Sequence, residues 1–261
     1  MAGSATSRII GDLTFQEVSS ALRESSILCL PMGSMEQHGP HLPLNTDTVL
    51  AEAFTARIVE RWGEQHDLWR LPPISIGLSR EHDWAPGTLS LSVSGITAIL
   101  RDLCREIVRA LPARNLLIVN GHGGNRGMRE TLGRELHGDF GLNLCALHLG
   151  AMMSPVTDAA VPEIHAGKDE TSVMLALAPE LVRRKRIPDL NAPPDGDAAR
   201  ATILDPATSW PWSSGDQRLA VAGVIGDARA ASAELGRAIV ARMVEATGAV
   251  LKQLLANQVR R

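Results

Sequence analysis

Cysteine is scarce in this 261-residue chain. The three cysteines, Cys29, Cys104 and Cys145, lie far apart in apolar segments, and none belongs to a C-x-x-C pair. This spacing argues against a thiolate zinc site and against a disulfide framework, and it is typical of proteins from a reducing compartment. The pattern of a signal peptide is missing at the start, and no stretch approaches the roughly 18 apolar residues that cross a bilayer. We therefore expect a cytoplasmic protein with no membrane partner.

Strong net charge is absent as well. The formal net charge is −3 at pH 7, and residues of both signs are scattered along the sequence. No basic field therefore points to nucleic acid or to an anionic membrane as a partner. Hydrophobic residues make up 44% of the chain, which is enough for a substantial core. Because there is no internal repeat and no low-complexity linker, residues 1–261 are expected to form a single domain.

Short apolar runs alternate with amphipathic stretches. Continuous apolar runs are typical of strands covered on both faces, and apolar residues at every third or fourth position are typical of helices. The pattern predicts strands at 27–32, 71–76, 116–119 and 142–147, and helices at 48–62, 96–111, 126–137, 170–178 and 235–254. Pro72 and Pro73 make the second strand an edge or irregular piece, and residues 187–217 predict a long irregular excursion. This alternation predicts an α/β fold, a three-layer sandwich with a mostly parallel sheet and helices on both faces.

Polar side chains follow three of the predicted strands. Glu36 and His38 follow the first strand, His122 follows the strand that ends at Val119, and Glu170 comes after the last strand. In parallel sheets, ligands bind beyond the carboxyl ends of the strands. The sequence therefore predicts a site at this edge of the sheet.

The first of these segments has the residue types of a catalytic metal site. In an extended segment Glu36 and His38 project to the same side, and Asp47 lies at the start of a predicted helix. Carboxylate and imidazole together are ligands of catalytic zinc or manganese. The alternative is that Asp47 is a helix N-cap and that the other two residues lie on a loop surface.

The segment 120–125 (Asn-Gly-His-Gly-Gly-Asn) is open to three interpretations. A dinucleotide-binding loop fits poorly, because Arg126 stands where the third glycine is required. A structural turn with an incidental histidine is the second interpretation. In the third interpretation, which we favour, His122 is a metal ligand, and the glycines allow the backbone and the metal to approach each other closely. Glu170 is then a further ligand, and His165 lies close by.

Four segments resemble the signatures of the creatininase family of amidohydrolases. They are 33–43 (Gly-Ser-x-Glu-Gln-His-Gly-Pro-His-Leu-Pro), 81–88 (Glu-His-x-x-x-Pro-Gly-Thr), 120–125 as quoted above, and 165–172 (His-Ala-Gly-x-x-Glu-Thr-Ser). The resemblance runs from about Leu13 to the C-terminus. It implies helices around a mainly parallel sheet, a homohexamer, and two divalent metal ions per chain, with zinc as the first choice and manganese as the alternative.

The resemblance also implies a role for each site residue. Glu36 and His122 would bind one metal ion, His38 and Glu170 would bind the other, and Asp47 would bridge them. His165 would be the acid/base histidine. We further expect the substrate to be bound by His82, Trp84 and Asn125.

The sequence predicts the reaction more closely than the substrate. We expect hydrolysis of a C–N bond in a small amide, cyclic or acyclic, by hydroxide held between two metal ions. The alternatives are a peptidase of the same family that cuts a cofactor-precursor peptide, a phosphoesterase, and a non-catalytic binder of small molecules or nucleotides. Members that open creatinine carry tryptophans near the positions of Gly150 and Val161 and an acidic residue at the position of Gly124. Their absence argues against creatinine, and Trp84, Trp210 and Trp212 are expected to wall a different cavity.

Overall fold

The computed structural model of the chain describes residues 8–154, 162–189 and 195–257. Within these residues one sheet is built from four strands, namely β1 (Ile27–Met32), β2 (Leu68–Arg70), β3 (Asn115–Asn120) and β4 (Asn143–His148). All neighbouring strands run parallel, in the order β2-β1-β3-β4. The two central strands, β1 and β3, are buried along their whole length, as their unbroken apolar runs predict.

Helices connect the strands and close the chain. In chain order they are α1 (Phe15–Ala21), α2 (Thr46–His66), α3 (Val93–Ala110), α4 (Arg126–Phe140), α5 (Leu149–Met153), α6 (Lys168–Leu177), α7 (Gly196–Ala199) and α8 (Ala233–Ala256). A π-helical turn (Arg200–Leu204) follows α7 directly. Among the described residues, no helix is both long and apolar enough to cross a membrane.

The two faces of the sheet carry two separate cores, because side chains alternate along a strand with period two. One face packs against α2, α6 and α8 through Ile27, Cys29, Leu117 and Val119. The opposite face packs against α3 and α4 through Leu28, Leu30, Leu116 and Ile118. The predicted three-layer α/β sandwich is therefore confirmed.

The predicted strand at 71–76 is wrong. The edge strand is β2, which ends at Arg70, and Leu71 alone separates it from the two prolines. Pro72 and Pro73 have no N–H to donate to a sheet, so beyond them a single bridge joins Ile74 to Met32. Helix α2 begins at Thr46 and α6 at Lys168, each two residues before the predicted start. The described parts of 187–217 are irregular apart from α7 and the π-helical turn.

Candidate metal centre

The carboxyl ends of β1 and β3 bring the predicted site residues together. The chain leaves β1 at Met32, and the backbone N–H of Glu36 donates to Leu44 O at 2.9 Å before α2 begins. The turn after β3 packs tightly on this segment, since a Cβ on Gly121 would overlap the carbonyl oxygen of Asp47. Glycine is therefore required at 121 for the close approach.

Glu36, Asp47 and His122 form the first cluster. His122 Nδ1 lies 3.2 Å from Glu36 Oε2 and 3.1 Å from Asp47 Oδ2, and all three residues are buried. Ligand atoms around a tetrahedral zinc ion lie about 3.4 Å apart, given metal–ligand distances near 2.1 Å. Within the described residues, neither carboxylate oxygen receives a hydrogen bond of normal geometry. Buried unpaired oxygens of this kind are costly unless a cation is present, so the cluster fits a divalent metal ion.

His38, Asp47 and Glu170 form the second cluster. His38 Nε2 lies 3.2 Å from Asp47 Oδ1 and 3.7 Å from Glu170 Oε1. Asp47 thus turns one oxygen to each cluster. Its side chain does not cap α2, whose N-cap is Asn45, so the N-cap interpretation of Asp47 is wrong. Glu170, in the first turn of α6, is held through Oε2, which accepts the Ala166 N–H at 2.6 Å.

Backbone carbonyls fix the orientation of the three histidine rings. His38 Nδ1 lies 3.2 Å from Glu36 O, His122 Nε2 lies 2.6 Å from Leu78 O, and His165 Nε2 lies 2.8 Å from Gln37 O. Because a carbonyl oxygen only accepts, each of these ring nitrogens carries the proton. In the neutral ring the other nitrogen then turns its lone pair toward the carboxylates. Metal-binding histidines are usually oriented in this way.

The electrostatics of the two clusters are strongly coupled. Burial disfavours the charged imidazoles, but the carboxylates around them outweigh it and raise the pKa of His38 and of His122 well above the ordinary value. Burial likewise opposes ionisation of Asp47 and Glu170, yet His38 lowers the pKa of each carboxyl to about 2. Without a metal ion, protons on the histidines therefore compensate the carboxylates, and these protons must leave when a cation binds.

His165 lies on the same centre, between two other rings. Its ring centroid is 4.3 Å from that of His38 and 4.2 Å from that of His82. Its Nδ1 lies 3.8 Å from Glu36 Oε1, and Glu36, His38 and His165 together are a third group whose atoms are close enough to share one ion. Burial, and then the charge of His38, lower the pKa of His165. The ring is therefore placed either for proton transfer or for ligation.

The residues predicted to bind substrate fall into two environments. Trp84 is 48% exposed and Trp210 is 60% exposed, and their role as walls of a cavity stays a prediction. His82 is buried, with burial and then His165 lowering its pKa to about 2, and Trp212 contacts its ring edge-on at 5.9 Å. Asn125 is also buried, and its role in binding substrate stays a prediction. Two positions were expected to lack the tryptophans of creatinine-opening members. Gly150 is an exposed residue near the start of α5, and Val161 lies outside the described residues.

The amide of Asn125 is used within the protein. Its Oδ1 accepts the Leu78 N–H at 3.1 Å, and its Nδ2 donates to Gly33 O and to Asn120 Oδ1 at 3.2 and 3.0 Å. These bonds tie the turn after β3 to the segment after β1. The geometry favours a structural role for this residue.

Two polar residues of the site were missed in the sequence. Gln37 lies between the two residues predicted as ligands, and its backbone oxygen orients His165. Ser214 lies in the irregular region 205–218 and is fully enclosed among Gln37, His82 and Trp84. Gln37 could have been found, because it lies within the segment 33–43 that resembles the family signature. Ser214 lies in a segment with no periodic pattern, so nothing in the sequence pointed to it.

The fold and the site together are those of an α/β enzyme with a candidate metal centre. The family model for creatinine amidohydrolase (creatininase) matches residues 11–251. The chain belongs to the creatininase family and is a hydrolase. The resemblance recognised in the sequence is therefore confirmed.

Relatives in this family differ in their named activities. A mycofactocin precursor peptide peptidase from Mycobacterium ulcerans (strain Agy99) is 34% identical over 245 residues, covering 91% of this chain and 89% of that protein. A creatinine amidohydrolase from Pseudomonas putida is 29% identical over 266 residues, covering 94% and 96%. A crystal structure of creatinine amidohydrolase superposes with a TM-score of 0.77 at 27% identity, covering 95% of this chain and 98% of that one. Solved creatininases include a manganese form and a zinc–zinc form.

Proposed function

We propose that the chain is a dinuclear metal-dependent hydrolase of amide C–N bonds. Glu36 and His122 bind one ion, His38 and Glu170 bind the other, and Asp47 bridges the two. The observation that carries the proposal is the position of Asp47, whose two oxygens face the two histidines at 3.2 and 3.1 Å. A bridging carboxylate has this arrangement, whereas an isolated buried ion pair needs a single partner.

Zinc is the first choice of ion and manganese the alternative, since the five residues offer imidazole and carboxylate and no thiolate. When bound, two such ions lower the pKa of water toward neutrality and polarise the amide carbonyl. The residues that would hold the ions are buried, apart from Glu170, whose side chain is 15% exposed. In such surroundings, charge that develops on the carbonyl oxygen would be well stabilised.

His165 is the proposed acid/base group. Its Nε2–H is fixed on Gln37 O, so its Nδ1 faces the centre with a lone pair. A neutral imidazole with a lowered pKa accepts a proton and then delivers it to the leaving nitrogen. The competing assignment is a sixth ligand, which the third group of potential ligand atoms supports.

A small non-peptide amide is the proposed substrate class. Trp84 donates its indole N–H to Ser214 Oγ at 2.9 Å, and Trp212 packs edge-on against His82, so two aromatic side chains lie where they would wall the centre for a small planar group. The second candidate is a short peptide, favoured by the 34% identity to a precursor peptide peptidase. The proposal also includes a single domain, assembly as a homohexamer, and a location in the reducing cytoplasm. Burial raises the pKa of the Cys29 and Cys104 thiols, so these thiols stay inert there.

The test screens zinc-loaded and manganese-loaded protein against lactams, formamides and short peptides, with metal-stripped protein in parallel. We expect activity on one amide class that a chelator abolishes and either ion restores. Glu36→Gln should lose it, and Glu60→Gln, at a glutamate whose side chain is 70% exposed, should keep it. Full activity of stripped protein contradicts the metal mechanism, and a chain that retains no ions supports a non-catalytic binder. Turnover of peptides alone selects the second candidate.

A further inference from the structure

Ser214 reaches the metal centre from a distant part of the chain. Its backbone N–H donates to Glu81 O at 2.9 Å, and its side chain is buried. The Oγ atom lies 2.6 Å from His82 Nδ1, 2.9 Å from Trp84 Nε1 and 3.1 Å from Gln37 Nε2. A single hydroxyl therefore contacts three side chains of the candidate site.

The surroundings of Gln37 determine which way its amide points. The backbone N–H of Gly39 donates to one side-chain atom at 2.9 Å, so this atom is the oxygen. The nitrogen on the other side donates one hydrogen to Gly223 O at 3.0 Å. Its second hydrogen has two acceptors in reach, His82 Nδ1 at 3.0 Å and Ser214 Oγ at 3.1 Å. His165 Nε2, also at 3.1 Å, is not an acceptor because it carries the proton that it donates to Gln37 O.

Both possibilities leave His82 Nδ1 as an acceptor. If Gln37 donates to His82 Nδ1, this nitrogen is the acceptor of that bond. If Gln37 donates to Ser214 instead, the indole N–H of Trp84, which only donates, fills the second lone pair of the hydroxyl oxygen. With both lone pairs of Oγ filled, His82 Nδ1 cannot donate to it, and the Ser214 proton goes to Nδ1 at 2.6 Å in preference to Glu81 O at 3.4 Å. His82 therefore carries its proton on Nε2, which faces Glu36 Oε1 at 3.4 Å.

We propose that Ser214 is a positioning residue for the first metal ion, because it fixes His82 with Nε2–H toward the carboxylate of Glu36. This inference rests on the proposed dinuclear function. Carboxylates that bind metal are held in place by hydrogen bonds from outside the coordination sphere, and losing such a partner typically weakens metal binding about tenfold to a hundredfold. The irregular region 205–218 thereby contributes to metal affinity without supplying a ligand.

The test compares Ser214→Ala with Ser214→Thr, which keeps the hydroxyl, and with Ser213→Ala as the matched control. Ser213 is half-buried, and its hydroxyl accepts the N–H of Gly215 in a local turn. The two zinc dissociation constants of each metal-stripped protein are measured by competition with a chromophoric chelator at one pH. We expect Ser214→Ala to weaken one constant about tenfold to a hundredfold and to leave the other unchanged. Ser214→Thr and Ser213→Ala should match the wild type.

Each outcome decides a different point. A wild-type chain that binds fewer than two ions refutes the proposed function. A wild type with two ions and a Ser214→Ala variant with unchanged constants refutes this inference alone, as does equal weakening at both sites. If Ser214→Ala loses its cooperative melting transition, His82→Phe replaces it as the test. That variant keeps the ring and loses both nitrogens, so we expect the same selective loss, and an unchanged pair of constants overturns the proposal.

Discussion

Asp47→Asn tests the proposed two-metal centre most directly. Asparagine keeps the volume of the side chain and both polar atoms, but it removes the negative charge and turns one oxygen into an N–H donor. In the native chain Oδ1 faces His38 and Oδ2 faces His122. The substitution therefore affects both proposed ions, whereas Glu36→Gln removes a charge from the first cluster.

The size of the effect follows from Coulomb's law. Two unit charges 4 Å apart interact by about 4 kcal/mol at an effective dielectric constant of 20. Because each proposed ion is divalent and lies nearer than 4 Å to a ligand, about 4 kcal/mol at each ion is a conservative value. This corresponds to about three decades in each dissociation constant. Glu36→Gln should weaken one constant by this amount and leave the other within about tenfold.

Equilibrium dialysis followed by elemental mass spectrometry measures both occupancies. Asp102→Asn is the matched control, because its side chain is 65% exposed and is paired with Arg105 on the surface of α3. We expect the control to hold two ions, Glu36→Gln to hold close to one, and Asp47→Asn to hold neither at micromolar zinc. Wild-type occupancy of both sites in Asp47→Asn would show that the bridging assignment is wrong.

Four further predictions concern the same centre. His165→Ala should keep both ions and lower kcat by about 10² to 10⁴; loss of an ion makes His165 a ligand instead. The carboxylates raise the pKa of His38 and His122, so these rings are protonated at neutral pH in the metal-free chain. Zinc must displace these protons, and its affinity should therefore fall as the pH drops from 8 to 6, by about tenfold per pH unit for each proton displaced. Calorimetry in buffers of different ionisation enthalpy counts the protons, and a pH-independent affinity contradicts the coupling. Gly124→Ala places a Cβ 2.5 Å from Nε2 of His122 and should weaken binding of the first ion in the dialysis assay. Gly127→Ala, which has open space around it, should leave that binding unchanged. Equal dissociation constants for the two variants would reject the steric argument. Creatinine turnover should be at least about a hundredfold below that of the true substrate, since roughly 3 kcal/mol of ring contacts is missing, and efficient opening of creatinine in a steady-state assay refutes this.

The sheet could be predicted from the sequence where its strands are covered on both sides. β1 and β3 consist of unbroken apolar residues, and their predicted bounds agree with the structure to within a residue. β2 could not be placed, because its three residues are too few for a pattern and the apolar residues around Pro72 and Pro73 imitate a strand. Strand pairing at an edge depends on tertiary contacts that a local window does not contain.

The candidate site divides in the same way. Glu36, His38 and Asp47 stand within twelve residues of one another, and His122 and Glu170 follow recognisable local patterns, so all five could be named beforehand. Their mutual geometry depends on the parallel order of β1 and β3, which the fold class implied. The Ser214 contact could not be predicted, because it joins positions 132 residues apart through a segment without secondary structure.

In the proposed function, metal chemistry and substrate choice come from different parts of the molecule. The proposed ligands lie at strand ends and in the first turns of α2 and α6, in a region where a small backbone shift disturbs two clusters at once. The exposed indoles of Trp84 and Trp210 lie instead on irregular segments, which tolerate insertion and substitution more readily than a packed core. This division is consistent with the different activities named for relatives of this chain, a precursor peptide peptidase and a creatinine amidohydrolase. Overall identity, 34% to the peptidase and 29% to the creatinine amidohydrolase, does not separate the two activities for this chain, and we expect the discriminating contacts to come from these irregular segments.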